Sequence, residues 1–319
     1  MFEQKTSMGS QWEKQTLQKV LLEHISEQRR ARRWNIFFKL IVIGLLGLLL
    51  YGYFNPDAST SVITTQAHTA LIDVEGEIGA AEEASADNIR DSIKSAFANK
   101  LVKGVVLRIN SPGGSPVQAR QIYDEIRSQR QKNPQVKVYA AIEDLGTSAA
   151  YLIASAADEI YADQTSLVGS IGAKIDSFGF VEIMQKVGVE RRLYTAGQDK
   201  GILDPFSPRS PEEDAFINQQ LQLVHAAFIK NVRDGRGNRL HETPNIFSGL
   251  FWTGEQALNL GLLDGFGDAQ FIARELIKAP NLVDYTPNVN VIDRIAHRIG
   301  ASMGQVLGAN AGLIFQGIR

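Results

Sequence analysis

The chain has 319 residues, a formal net charge of −2 and no cysteine, and its isoelectric point is about 6.2. This length permits two average domains or one large α/β domain with a sizeable core. The charge gives no electrostatic reason to expect nucleic acid as a partner, and the lack of cysteine excludes disulfides, thiolate zinc sites and a cysteine nucleophile. The five histidines stand singly without an HExxH motif, so we expect no metal site.

An apolar stretch near the N-terminus decides the predicted location. Residues 34–54 (WNIFFKLIVIGLLGLLLYGYF) are apolar except for Asn35 and Lys39 and long enough to cross the ~30 Å hydrocarbon layer as a helix. The basic run RRARR precedes this stretch, so the positive-inside rule places the N-terminus in the cytoplasm. A cleaved signal peptide is the alternative, but 33 residues precede the stretch, and the stretch is too extended. We predict an uncleaved single-pass anchor in the cytoplasmic (inner) membrane, with the following residues outside, in the periplasm.

The predicted organisation has five parts. They are a cytoplasmic segment (1–33) with a short amphipathic helix over 11–28, the transmembrane helix (34–54), a Ser/Thr-rich linker (55–67), a folded domain (68–285) and an amphipathic tail (286–319). The tail is expected to lie on the membrane or to pack on a neighbouring subunit.

Strands and helices alternate through the folded domain. β-Rich runs over 69–78, 104–109 and 136–142, with a further candidate over 189–196, are separated by helical patterns over 87–99, 116–131 and 148–158. This alternation predicts parallel βαβ units and an α/β fold. A long helix over 210–236 begins with a capping box at Ser210 and Glu213, and 254–277 reads as helix, Gly-rich turn and helix.

The first candidate motif is Ser111-Pro112-Gly113-Gly114, directly after the second predicted strand. Adjacent glycines permit positive φ and let backbone N–H groups approach a ligand oxygen closely, as an oxyanion hole requires. The alternative is an ordinary turn between a strand and a helix.

The second candidate is Ser148, in the segment EDLGTSAAY after the third predicted strand. A serine at a strand-to-helix corner, flanked by small residues, has an accessible hydroxyl, and the N–H of Ala149 can donate to a developing oxyanion. The alternative is a serine that caps a helix packed on the sheet.

A serine nucleophile needs a base, and no histidine lies between His68 and His225. His225 falls inside the long helix and is interpreted as a packed or surface residue. Lys200 is the alternative base, because a lysine held against apolar walls can be uncharged near neutral pH, although a loop lysine is more often solvated. Ser170, in the segment GSIG, offers a hydroxyl that could orient the amine.

Taken together, the ordered segments SPGG, EDLGTSAAYLIASAADEIYAD, LVGSIG and AGQDKGILDPFSPRSPEE resemble the signal peptide peptidase A family of envelope serine proteases. The resemblance extends over about 68–275. It implies a ClpP/crotonase-like α/β spiral fold in which Ser148 is the nucleophile, Lys200 the general base and Ser170 the residue that hydrogen-bonds the lysine. It also implies an oxyanion hole made by Gly113 or Gly114 together with Ala149.

The same resemblance implies a homo-oligomer whose catalytic side chains meet across a subunit boundary. It further implies no cofactor, and substrates that are extended apolar peptides such as signal peptides left in the membrane. This sequence departs from the family pattern at Ala149-Ala150, where Gly-Gly is common, and at Ala173-Lys174, where a hydrophobic residue is common. These departures leave the Ser/Lys pair intact and concern the specificity pocket. Two alternatives are a crotonase-type acyl-CoA enzyme and a catalytically inactive, membrane-tethered scaffold.

Overall fold

The computed structural model describes residues 32–47 and 65–287. The chain divides into two compact units, Met1–Val62 and Ile63–Arg319. Residues 32–47 form helix α1, whose apolar side chains are exposed. Within the two described ranges, no helix is both long and apolar enough to cross a membrane. The end of the predicted span, the helix over 11–28, and nearly all of the linker and of the C-terminal tail lie outside these ranges.

The second unit contains eight strands and seven α-helices among its described residues. The strands are β1 His68–Ile78, β2 Val102–Gly114, β3 Lys137–Thr147, β4 Glu159–Ala162, β5 Leu167–Gly169, β6 Phe251–Thr253, β7 Gly265–Phe266 and β8 Leu282–Asp284. The helices are α2 Ala86–Ala98, α3 Pro116–Lys132, α4 Ala149–Ala154, α5 Val181–Val187, α6 Pro211–Arg236, α7 Gly254–Asn259 and α8 Ala269–Phe271. The predicted alternation is confirmed, and so is the capping box, since Ser210 and Glu213 exchange hydrogen bonds at the start of α6.

One mixed sheet organises this unit. Its strand order is β6-β5-β3-β2-β1-β8, with β4 pairing β3 and β7. All pairs are parallel except β5 with β6. This mostly parallel α/β sheet fits the predicted ClpP-like class. Because parallel strands end at the same edge, β2, β3 and β5 bring Gly114, Thr147 and Gly169 to one edge of the sheet.

Both faces of the sheet are covered, as a parallel sheet requires. Ala70, Ile72 and Val74 of β1 point into the larger core cluster, while Leu71 between them points into a smaller cluster with Ala269 and Ile272. The period of two along each strand therefore divides the apolar side chains between two cores.

Three predicted elements differ from the structure. Residues 189–196 form no strand and are exposed, so that prediction is wrong. An isolated strand would leave its backbone groups without partners, and no described strand pairs with this segment. The SPGG segment is the end of β2 rather than a turn after it, because Glu77 and Ile78 of β1 still pair with Gly113 and Gly114. The helix predicted over 148–158 is shorter and ends at Ala154.

Candidate active site

Ser148 occupies the corner between β3 and α4 with a backbone that few serines adopt. Its φ is 55° and its ψ is −126°, a left-handed conformation that normally belongs to glycine. Its N–H donates to Gly169 O over 2.8 Å, and its carbonyl accepts the first helical hydrogen bond from Leu152. Ser148 therefore lies at the predicted strand-to-helix corner. Its hydroxyl caps no backbone group, so the alternative of a helix-capping side chain is wrong.

The end of β2 lies directly against this corner. A Cβ on Gly113 would lie 2.7 Å from Cβ of Ser148 and 3.0 Å from the nitrogen of Ala149, so only glycine permits this approach. Two side chains hold the segment: the hydroxyl of Thr147 donates to Pro112 O over 3.1 Å, and Ser111 Oγ accepts from the N–H of Gly113 over 3.2 Å.

These contacts distinguish the two predicted oxyanion donors. The N–H of Gly113 already donates to a buried hydroxyl, whereas Gly114 lines a cavity beside Ser148. Ala149 lines the same cavity, and its N–H lies in the first turn of α4, where helical N–H groups lack intrahelical acceptors. The geometry therefore favours Gly114 with Ala149 over Gly113 with Ala149.

The cavity beside Ser148 has a volume of about 320 Å³. Its walls are mainly apolar and come from α3, α4 and α6, with Val117, Leu152, Val224 and Phe228 among the lining residues. A pocket of this size beside an accessible hydroxyl can hold one side chain of a bound peptide.

Part of the cavity lining is polar and includes Arg120 and Asn231. Arg120 donates to Asp124 over 2.8 Å and to Asn231 Oδ1 over 2.6 Å, and its guanidinium lies over the Tyr123 ring. The hydrogen bond to Asp124 raises the pKa of Arg120. Burial raises the pKa of Tyr123, whose hydroxyl donates to Asn231 O over 3.1 Å. Asn231 is thus fixed through both its side chain and its carbonyl.

Ser170 follows Gly169 at the end of β5 and, like Ser148, has a positive φ, 51°. Its N–H donates to Leu250 O over 2.8 Å. The next carbonyl, that of Ile171, accepts a hydrogen bond from His225 Nε2 over 3.0 Å. His225, predicted to be a packed or surface residue, is half-buried and connects α6 to the loop that carries Ser170.

Lys200 stands apart from these residues within one chain. It is exposed in the loop after Gly197, and it is absent from the lining of the Ser148 cavity. Among the described residues, its amine has no hydrogen-bond or ion-pair partner. The single chain therefore brings Ser148, Gly113, Gly114, Ala149 and Ser170 together and leaves Lys200 outside the group.

Three supporting residues were not identified from the sequence. Ser111 and Thr147 hold the Gly-rich segment, and Asn231 lines the cavity. Ser111 and Thr147 lie in the two motifs that contain Gly113 and Ser148, and this position in the sequence is the signal that could have identified them. Asn231 lies far along the chain in α6 and gave none.

A model of a family described as Peptidase family S49 matches residues 130–282, which contain Ser148, Ser170 and Lys200. The chain is 44% identical over 215 residues, 67% of its length, to a protein named Na⁺/H⁺ antiporter NhaA of Brucella abortus, of which it covers 29%. It is 31% identical over 216 residues, 65% of its length, to a predicted protease of Methanocaldococcus jannaschii, of which it covers 68%. It is 28% identical over 212 residues, 66% of its length, to a predicted signal peptide peptidase A of Enterococcus faecium, of which it covers 61%.

The shares covered differ among these relatives. Because the chain spans under a third of the Brucella protein, the name of that whole protein does not describe the aligned part by itself. The archaeal and enterococcal proteins are covered over most of their length.

Proposed function

Because the chain belongs to peptidase family S49, we propose that it is a serine endopeptidase with Ser148 as nucleophile and Lys200 as general base. The observation that carries this proposal is the strained backbone of Ser148, pressed against Gly113 and open to the apolar cavity. Backbone strain of this kind persists only where the surrounding structure enforces it, and it is concentrated at functional sites.

The first half of the reaction forms an acyl-enzyme. Ser148 Oγ attacks the carbonyl carbon of the scissile peptide bond while its proton passes to the uncharged amine of Lys200. The resulting oxyanion accepts hydrogen bonds from the N–H groups of Ala149 and Gly114. The C–N bond then breaks, and the proton returns from Lys200 to the leaving amine.

The second half releases the acyl group. A water molecule gives one proton to Lys200 and attacks the ester carbon, and the same two N–H groups hold the oxyanion again. The ester C–O bond breaks, and Ser148 Oγ takes the proton back. Ser170 orients the amine of Lys200 between these steps. No cofactor takes part.

Lys200 reaches Ser148 from a neighbouring copy of the chain in this proposal. The exposure of Lys200 and its absence from the lining of the cavity support a site shared between protomers. The segment around it also exposes large apolar side chains, including Phe178, Val187 and Tyr194, whose exposed fraction is 89%. Such a surface favours burial against another subunit.

The substrates we propose are extended apolar peptides, signal-peptide remnants among them, cleaved at the outer face of the cytoplasmic membrane. The mainly apolar walls of the cavity support a substrate whose side chain there is apolar along most of its length. The apolar stretch over 34–54 and the basic run before it support a single-pass anchor with the folded domain outside.

Labelling of the full chain with a fluorophosphonate tests the nucleophile and the base. We expect wild type to be labelled at Ser148 and the label to disappear in Ser148→Ala and in Lys200→Ala. Peptide hydrolysis by Ser148→Ala near the wild-type rate would refute the proposal. An assembled oligomer that neither takes the label nor cleaves peptides would favour the scaffold.

A mixing experiment tests the shared site. Ser148→Ala and Lys200→Ala proteins, each inactive alone, are unfolded together and reassembled. If the site is shared, about a quarter of the sites in a random mixture pair an intact serine with an intact lysine, and activity returns to about that fraction. No recovery in a mixture that has assembled normally would place the base within the same chain as its serine.

A further inference from the structure

The cavity beside Ser148 is positioned to hold the substrate side chain that precedes the scissile bond. A carbonyl carbon within reach of Ser148, with its oxygen towards Gly114 and Ala149, has its own Cα substituent next to this cavity. Most of the lining is apolar, so the few polar groups in it decide which side-chain tips are accepted.

Asn231 provides that polar group. It lines the cavity, only 4% of its surface is exposed, and its Oδ1 accepts a hydrogen bond from Arg120. A guanidinium can only donate, so the amide oxygen must face Arg120 and the amide nitrogen must face away from it. Among the described residues, nothing accepts a hydrogen bond from Asn231 Nδ2.

Arg120 is half-exposed, and its contacts favour this orientation. It binds Asp124 and lies over the ring of Tyr123, whose hydroxyl donates to the carbonyl of Asn231. An amide locked in this way presents donor hydrogens to the cavity and no acceptor. A purely aliphatic side chain that displaced water from the cavity would leave this donor unpaired, which is unfavourable.

We propose that Asn231 is a specificity-determining residue that selects peptides whose side chain before the scissile bond has an apolar stem and an uncharged hydrogen-bond acceptor at its tip. Glutamine has this form, whereas norleucine has a similar length and no acceptor. The proposal rests on the proposed function, since it takes Ser148 as the residue that attacks the peptide.

The test compares two peptides that differ only in glutamine or norleucine before the scissile bond. For the full-length wild type, kcat/KM is expected to be higher for the glutamine peptide. In Asn231→Leu the ratio of the two values is expected to fall about tenfold, the factor that corresponds to one net hydrogen bond. In Arg120→Met the amide is free to turn, and a partial fall is expected. In Asn218→Leu, an exposed position of the same helix outside the cavity, the ratio should not change.

Binding to Ser148→Ala separates a failure of this inference from a failure of the proposed function. In that background the Kd ratio of the two peptides needs no hydrolysis, and adding Asn231→Leu should change it by the same factor. An unchanged ratio in a folded Asn231→Leu protein overturns the inference, whether or not the wild type cleaves peptides. A changed binding ratio without any cleavage or fluorophosphonate labelling supports the inference about the cavity and overturns the peptidase.

Discussion

The backbone of Ser148 predicts that replacing this proposed nucleophile by glycine makes the protein more stable. At φ 55° and ψ −126° a non-glycine residue carries strain of about 1–3 kcal/mol, which glycine does not have. Glycine loses about 0.5–1 kcal/mol more conformational entropy on folding than alanine does. The difference is a net gain of about 1 kcal/mol for Ser148→Gly relative to Ser148→Ala, because alanine keeps the strained Cβ.

Replacing Ser148 removes few stabilising interactions of its side chain. The hydroxyl of Ser148 caps no backbone group, and the side chain is only partly buried. A gain of about 1 kcal/mol corresponds to about 2–4 °C in Tm for a domain of this size. Both variants should be inactive, so the gain in stability accompanies a complete loss of hydrolysis.

The assay is equilibrium denaturation of the full chain in detergent at one protein concentration, since association would make the midpoint depend on concentration. Ser155, at φ −65° and ψ −14°, is the matched control. There the order should reverse, with Ser155→Gly less stable than Ser155→Ala. A Ser148→Gly protein no more stable than Ser148→Ala would show that the corner stores no strain and would refute the reasoning.

Three further predictions address the surroundings of the site. Burial raises the pKa of Asp264, but hydrogen bonds from Arg236 lower it by more, so the net shift of this pKa is downward. The stability that this pair contributes should be present above the ordinary Asp pKa of about 3.9 and be lost as pH falls through the lower native value. A titration of unfolding stability with acid should lack this component in Asp264→Asn. His225→Leu should lower kcat and speed amide exchange at the end of β5, because Ile171 O loses its hydrogen-bond donor. His225→Gln keeps a donor and should restore both kcat and the slow exchange. Equal kcat in the two variants would contradict this prediction. Gly114→Ala should abolish hydrolysis, because a Cβ there would lie 2.2 Å from Ile78 O; retained peptidase activity would refute this placement of the segment.

Much of the fold could be predicted from the sequence because the signals are local. The β-rich composition of β1, the capping box at Ser210 and the alternation of strands with helices each depend on residues close in the chain. The segment 189–196 shows where such signals fail, since its β-type composition meets no pairing strand among the described residues. Strand formation needs a partner, and the composition of one segment cannot supply it.

The candidate site was predicted in part for the same reason. Ser148, Gly114 and Ser170 each stand in a short motif at the end of a strand, so the sequence identified them and the parallel sheet then brought them to one edge. Ser111 and Thr147 act through single hydrogen bonds inside those motifs, which a residue pattern does not specify.

The sequence by itself determined the strand-end motifs that contain Ser148 and Ser170, the α/β class and the apolar stretch near the N-terminus, because each depends on residues close together in the chain. Only the tertiary structure decided that the N–H of Gly113 donates to Ser111, that His225 binds the loop of Ser170, and that Asn231 lines the cavity. These facts depend on the direction of single N–H and C=O groups that are far apart in the chain. Packing of the helices on the sheet fixes those directions, and local propensity does not.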